Sequence, residues 1–308
     1  MPYANQRIAY GEALKALGAE NRNIVALEAD LGKSTMSCLF QDAFPERYFE
    51  MGIAEANMAS VAAGLAQTGK IPFIHSFAVF ASGRAYDQLR QTIAIGGLNV
   101  KVCGSSAGLS DFGDGATHQS VEDIALMRAI PGMTVLCPVD ANEAAKAVRA
   151  MAAIDGPCYI RINRNDYESL TPEEGDFPLG LPTVLRHGTD VTVFTFGYMA
   201  VLAVKAAEGL KDRVSVRVVN VSTLKPIDDS AMLKAAEGSK AIVTVEEHSL
   251  IGGLGSALAL SFAGDGRPFK TVGLQDTFGC SAHNYAELLD HFGLTVENIT
   301  GAILEAAK

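Results

Sequence analysis

A chain of 308 residues with 48% apolar and 19% charged side chains is a well-cored globular protein of roughly two domains, and a disordered or fibrous chain is excluded. Its 25 basic and 35 acidic residues leave a net charge of −10, which excludes a basic footprint for nucleic acid and speaks for solubility more than for a particular partner. The five cysteines, Cys38, Cys103, Cys137, Cys158 and Cys280, form no CxxC pair, so they read as reduced thiols of a cytoplasmic protein, with neither a zinc site nor a disulfide framework.

From Met1 to Arg7 no basic segment leads into an apolar core, and no run of about 18 apolar residues occurs, so neither a signal peptide nor a membrane span is expected. Helical spacing over Arg7–Leu17 precedes an apolar strand at Ile24–Glu28 and the segment Ala29-Asp30-Leu31-Gly32-Lys33-Ser34. Residues 50–58, Glu-Met-Gly-Ile-Ala-Glu-Ala-Asn-Met, then place Glu55 among small and apolar neighbours at the head of a helix predicted over Glu55–Ala66. A carboxylate partly desolvated in this way can share a proton with a base at neutral pH. The plainer alternative is an acid in a first helical turn that complements the macrodipole.

The strand Ile71–His75 leads to Phe77 and Phe80, which either join the core or offer a flat apolar platform to a planar heterocycle. A helix over Ala81–Ile95 and a strand over Asn99–Cys103 follow, and then the loop from Gly108 to Gln119. Its glycines let backbone approach a ligand closely. Within it, His118 and Asp114 combine proton transfer with hydroxyl recognition, although the same residue types also populate surface turns. Gly113-Asp114-Gly115 with Asn142 resembles the Gly-Asp-Gly…Asn signature that binds magnesium diphosphate in thiamin enzymes. The triplet ends a long glycine loop, however, and Asp140 or Asn142 reads as the N-cap of the next helix. Turn and cap chemistry account for both ends, and no metal site is assigned to this chain.

A helix over Ser120–Ala129, a strand over Thr134–Cys137, a helix over Asn142–Ala153 and a strand over Cys158–Ile162 complete the first half. Arg161 and Arg164 point to opposite faces if that strand stays extended, so one of them faces the crevice at its carboxyl end. Residues 169–187, with Pro172, Pro178, Pro182, Gly175 and Gly180, mark a linker. Strands at Asp190–Thr195, Val214–Val219, Ala241–Glu246 and Phe269–Gly273 then alternate with helices at Met199–Leu210, Asp228–Glu237, Gly252–Phe262 and Asn284–Phe292. The fold class is therefore α/β, with two doubly wound, mostly parallel-sheet domains over 1–168 and 188–308.

Taken in order, Gly52-Ile53-Ala54-Glu55, Phe77-x-x-Phe80 and Asp114-Gly-x-Thr-His118-Gln119 resemble the pyrimidine-binding domain of the transketolase family of thiamin diphosphate enzymes. Val243-Thr-Val-Glu-Glu-His248 and Ile251-Gly-Gly-Leu-Gly255 resemble that family's C-terminal domain, so the resemblance spans essentially the whole chain. Within the family, Ala29-Asp30-Leu31 with Ser34, Thr277-Phe278-Gly279-Cys280-Ser281 and Phe292-Gly293-Leu294-Thr295 are closest to transketolase itself. Arg84-Ala85-Tyr86-Asp87-Gln88 is closer to deoxyxylulose-phosphate synthase, and the β subunits of 2-oxo-acid dehydrogenases share the glutamate but usually lack the Asp-Gly-x-Thr-His-Gln motif. A scaffold that keeps the fold only is the non-catalytic alternative, and the intact Glu55, Asp114 and His118 argue against it.

The resemblance implies a thiamin diphosphate-dependent glycolaldehyde transferase. Residue 1 falls almost at the start of the pyrimidine domain, so the expected arrangement is the C-terminal subunit of a split transketolase. An N-terminal partner would carry the diphosphate-binding domain and the Mg2+ ligands in an α2β2 assembly. Glu55 would contact the pyrimidine N1′ and take part in its proton exchange. Phe77 and Phe80 would hold the aminopyrimidine, with Asp30 and Leu31 near the thiazolium. Asp114 and His118 would contact sugar hydroxyls, with His118 as a proton carrier, and Arg7, Ser34 and Arg164 would bind a substrate phosphate. Two departures leave substrate identity open: Ser105 and Ser106 stand near the place of an expected phosphate-contacting histidine, and Gly83 replaces an expected tyrosine.

Overall fold

The computed structural model describes residues 3–308. Its first half supplies six strands of a seven-stranded sheet in the order Thr223–Lys225, Thr134–Leu136, Cys158–Arg161, Lys101–Ser105, Ile71–Phe77, Ile24–Glu28, Tyr48–Glu50. Every neighbouring pair is parallel except that of the edge strand Thr223–Lys225. Ile24–Glu28 and Lys101–Ser105 are buried along their whole length, as strands covered by helices on both faces must be. The α/β, mostly parallel architecture expected from the alternation of elements is thus present.

The second half forms a five-stranded sheet in the order Phe269–Leu274, Ala241–Ser249, Val191–Thr195, Val216–Asn220, Thr183–Arg186, the last antiparallel to its neighbour. Thr183–Arg186 lies inside the segment read as linker. Four residues closed off by Pro182 and Gly188 give no alternation to recognise, yet they complete a sheet edge. Thr223–Lys225 has the opposite surprise: it leaves the second half in sequence to pair with Thr134–Leu136 of the first sheet. The two halves also share apolar packing, since Val219, Val221 and Leu224 sit in one cluster with Val102, Ile124 and Val135.

Several predicted helices shift by one to three residues at an end, and two differ for a reason visible in the structure. The stretch expected as one helix over Ala81–Ile95 consists of Ala78–Gly83, a short turn Tyr86–Gln88 and a wide π-type turn Leu89–Ala94. Gly83 is a poor helix former, and the break after it turns Arg84 back toward Glu55. The helix expected from Ser120 begins at Asp123, because Ser120 is held extended by a two-way backbone pairing with Gly108. The last helix, Val296–Ala306, lies beyond the predicted elements; Thr295 caps it by accepting from the Asn298 amide. No helix among the described residues is long and apolar enough to cross a membrane.

Candidate active site

Parallel strands deliver their carboxyl ends to one edge of the sheet, and the loops leaving those ends are where α/β proteins assemble sites. Here Ile24–Glu28 leads to Asp30 and Leu31, Tyr48–Glu50 to Glu55, Ile71–Phe77 to Phe80, Lys101–Ser105 to the glycine loop, and Cys158–Arg161 to Arg164.

Glu55 is the first residue of the helix Glu55–Gln67, and its side chain is only 3% exposed. Its Oε1 accepts from Arg84 Nη1 at 2.9 Å, and Arg84 is itself half exposed. The same guanidinium lies over Phe80, 4.0 Å from the ring centroid. Phe77 and Phe80 are near-parallel, with centroids 6.2 Å apart and planes at 16°. His118 stands edge-on to both rings, 6.2 Å from Phe77 and 5.3 Å from Phe80, and its Nδ1 shares a hydrogen bond with Thr117 Oγ1. A planar cation therefore rests on an aromatic face while bonded to a buried carboxylate. An aminopyrimidine ring, planar and able to carry a proton, meets the same two requirements, so Glu55 and Phe80 fit such a ring.

A second group gathers around Arg7. Asn5 caps the helix Gln6–Glu20 by accepting from the amides of Arg7 and Ile8, and its Nδ2 donates to the Arg164 carbonyl. Arg7 Nη1 donates to the Ser34 carbonyl at 2.8 Å. Burial and the positive charge of Arg164 together push the Arg7 guanidinium below its usual range. Two like-charged forks held close and partly dehydrated are suited to an anion. Arg164 pairs with Asp111 at 2.5 Å, and not with Asp166, whose carboxylate instead accepts from Asn5. Burial raises the Asp111 carboxyl despite that partner. Arg161, by contrast, is buried, paired with Asp123 at 3.0 Å and donating to the Glu247 carbonyl at 2.9 Å.

The segment after Ile24–Glu28 is fixed from both sides. Asp30 adopts φ +63, and its amide donates to Glu50 Oε1, as does that of Gly52. Beneath it, Glu28 Oε2 accepts from Thr35 Oγ1 and Ser37 Oγ, each at 2.6 Å, while Oε1 accepts from Ala29. Burial pushes the Glu28 carboxyl up to about 7. Asp30, Leu31, Ser34 and Glu50 line a cleft of about 430 Å³ that opens from this segment.

Asp114 and His118 share a loop but not a hydrogen bond: Asp114 is exposed and precedes the tight turn Gly115–Thr117 without capping it. At the other end of the signature-like pair, Asn142 donates to the Thr171 carbonyl and Asp140 caps the helix through the Glu143 amide. Arg84, Asp111, Glu28 and Glu50 join the site here without a role expected from the sequence. The only local signal for Asp111 is an acid lying between loop glycines. Nothing local marks Arg84, whose partner lies 29 positions earlier.

Residues 4–169 match the family model described as the pyrimidine-binding domain of transketolase, and residues 182–299 match that of its C-terminal domain. A putative transketolase C-terminal section from Methanocaldococcus jannaschii is 42% identical over 99% of this chain and 97% of its own length. A 6-deoxy-6-sulfo-D-fructose transketolase subunit from Clostridium sp. is 42% identical over 98% of this chain and 94% of its own. Among solved structures, a split-gene transketolase described as an inactive beta4 tetramer is similar with a TM-score of 0.89 and 44% identity, each chain covered over 99%.

Proposed function

The chain belongs to the transketolase family, as the C-terminal subunit of a two-subunit enzyme, and we propose that the Glu55–Phe80–His118 cluster is its half of a thiamin diphosphate site. The reaction is transfer of a two-carbon ketol unit from a ketose phosphate to an aldose or aldehyde acceptor. The observation that carries this reading is the guanidinium of Arg84, bonded to Glu55 and stacked on Phe80 as an aminopyrimidine would be. A dehydrogenase-type β subunit and a deoxyxylulose-phosphate-synthase-like enzyme are not favoured by the relatives.

When bound, the cofactor supplies a nucleophilic carbon that cleaves and remakes the ketose carbon–carbon bond. The chain's own residues bind, orient and move protons. Glu55 holds and exchanges a proton at the pyrimidine N1′, Phe77 and Phe80 support the ring, and Asp30 and Leu31 border the thiazolium. Asp114 and His118 read sugar hydroxyls, and His118 carries a proton. Arg7, Ser34 and Arg164 hold the anionic end of the substrate. One relative is named for a sulfo-sugar, so the anion need not be a phosphate.

The diphosphate and its Mg2+ belong, in this proposal, to an N-terminal partner subunit, in a cytoplasmic α2β2 assembly. The working division of the chain is a pyrimidine-binding domain over 1–168, a linker over 169–187 and a C-terminal domain over 188–308. The decisive experiment is reconstitution. The chain alone should bind thiamin diphosphate poorly and turn nothing over, and the partner subunit should restore both. Ketol transfer between sugar phosphates supports the reading, whereas 2-oxo-acid decarboxylation as the main activity would replace it.

A further inference from the structure

Glu55 and Phe80 belong to the first half of the chain, yet the second half grips the loop that carries Asp114 and His118 through three hydrogen bonds and an apolar seat. Glu247, buried in the strand Ala241–Ser249, accepts from the Leu109 amide through Oε1 at 2.6 Å, and its Oε2 accepts from Tyr285 Oη at 2.6 Å. Gln119 Nε2 donates to the carbonyls of Asp111 at 3.0 Å and Cys280 at 2.9 Å, which ties the two ends of the loop to each other and to the second half. The Ala282 amide donates to the Phe112 carbonyl at 2.8 Å. Leu109 and Val121, on either side of the loop, are buried in the second half's own apolar cluster with Val243, Val245 and Leu274.

Contact is close enough to dictate the loop's glycines. Gly108 and Gly115 adopt φ +65 and +76, and a Cβ at either would stand 2.5 Å from Glu247 Oε1 or Ser281 Oγ respectively. The same holds in reverse, for a Cβ on Gly279 would stand 1.7 Å from Gln119 Oε1. Loop and template are shaped to one another by side-chain polar groups bonded to backbone, Glu247 to the Leu109 amide and Gln119 to the Cys280 carbonyl, which fix position without supplying chemistry.

We propose that Glu247, Gln119 and the segment Gly279–Ala282 form a template that sets where Asp114 and His118 meet the sugar, so that these residues position the substrate step without touching the cofactor. The inference rests on the reading of Asp114 and His118 as sugar-binding residues. Displacing a substrate-positioning group by about 1 Å costs on the order of 100-fold in rate, whereas cofactor binding at Glu55 and Phe80 is fixed by other elements.

The test uses the reconstituted two-subunit enzyme. Gly279→Ala adds one methyl group at a half-buried position whose backbone lies outside the left-handed region, so the chain should fold. It should lower kcat/KM for the donor ketose by about 10- to 100-fold, mainly through KM, with thiamin diphosphate affinity and cofactor C2 deuterium exchange within about threefold of wild type. Glu247→Ala should act in the same way, and Glu247→Gln, which still accepts from the Leu109 amide, should restore most of the loss. Unchanged ketose kinetics in Gly279→Ala would overturn the proposal, as would an equal loss of cofactor affinity, which marks a merely structural role. Asp114→Ala and His118→Ala separate the two levels: if neither alters ketose KM, the sugar-binding reading itself fails. If both do and Gly279→Ala does not, only the template fails.

Discussion

Arg84 Nη1 lies 2.9 Å from Glu55 Oε1, and the same guanidinium covers the face of Phe80 at 4.0 Å. A ring that uses both partners has to displace it. A half-exposed ion pair contributes up to about 1 kcal/mol and a cation–π contact about 0.5–1 kcal/mol. Arg84→Ala should therefore tighten thiamin diphosphate binding to the two-subunit enzyme by roughly 5- to 20-fold, read by calorimetry. Weaker binding would mean that Arg84 stays in place and assists the cofactor.

Arg164→Ala should raise KM for a phosphorylated ketose by roughly 10- to 100-fold, from loss of a charge-assisted contact worth about 1.5–3 kcal/mol. Non-phosphorylated donors should be little affected. Because Arg164 also pairs with Asp111 in the glycine loop, Asp111→Asn is the necessary companion. A loop tether would alter both substrate classes in both variants, whereas anion recognition is specific to Arg164 and to the charged substrate. Equal effects of Arg164→Ala on both classes would remove it from the anion site.

Much of this site could be read in the sequence, for identifiable reasons. Ile24–Glu28 and Cys158–Arg161 are fully buried strands, and the apolar residues that precede Glu28 and Arg161 announce that. Glu55 stands out because nothing near it in sequence is charged between Glu50 and Lys70. Thr183–Arg186 and Thr223–Lys225 are short edge strands whose reason to exist is a neighbour far away in the chain, and no local pattern encodes that. The Arg84–Glu55 and Arg164–Asp111 pairs likewise bridge 29 and 53 positions, so they become visible only when the strand ends converge. Glu28 looked like the last residue of a strand. That it is buried and bonded by two hydroxyls follows from the return of the chain at Thr35 and Ser37.

Glu28 also makes stability depend on pH. An acid whose folded-state pKa is raised, here from 4.5 to about 7 by burial, binds more protons folded than unfolded. Its contribution is fully present below pH 4.5 and is lost as pH rises through 7. Glu28→Gln, in which Thr35 and Ser37 can reverse their hydroxyl roles, removes that dependence. Relative to wild type, the variant should gain about 2–3 kcal/mol between pH 5 and pH 8 in denaturant unfolding. His75, pushed down to about 4 by burial, acts in the opposite sense, losing stability as pH falls below 6.5, but it is common to both proteins and cancels. A difference that stays flat with pH would mean Glu28 is ionised in the fold throughout that range.

If Glu55 exchanges a proton with the cofactor's pyrimidine ring, as proposed, hydrogen–deuterium exchange at C2 of thiamin diphosphate bound to the reconstituted enzyme reads it most directly. In Glu55→Gln the amide keeps the volume and a hydrogen bond but cannot trade a proton. Exchange should slow by about 10²- to 10⁴-fold, the usual contribution of a proton-transfer group, while folding and assembly with the partner persist. Exchange at the wild-type rate in Glu55→Gln would exclude that proton exchange and leave Glu55 as an acid that serves only the first turn of its helix.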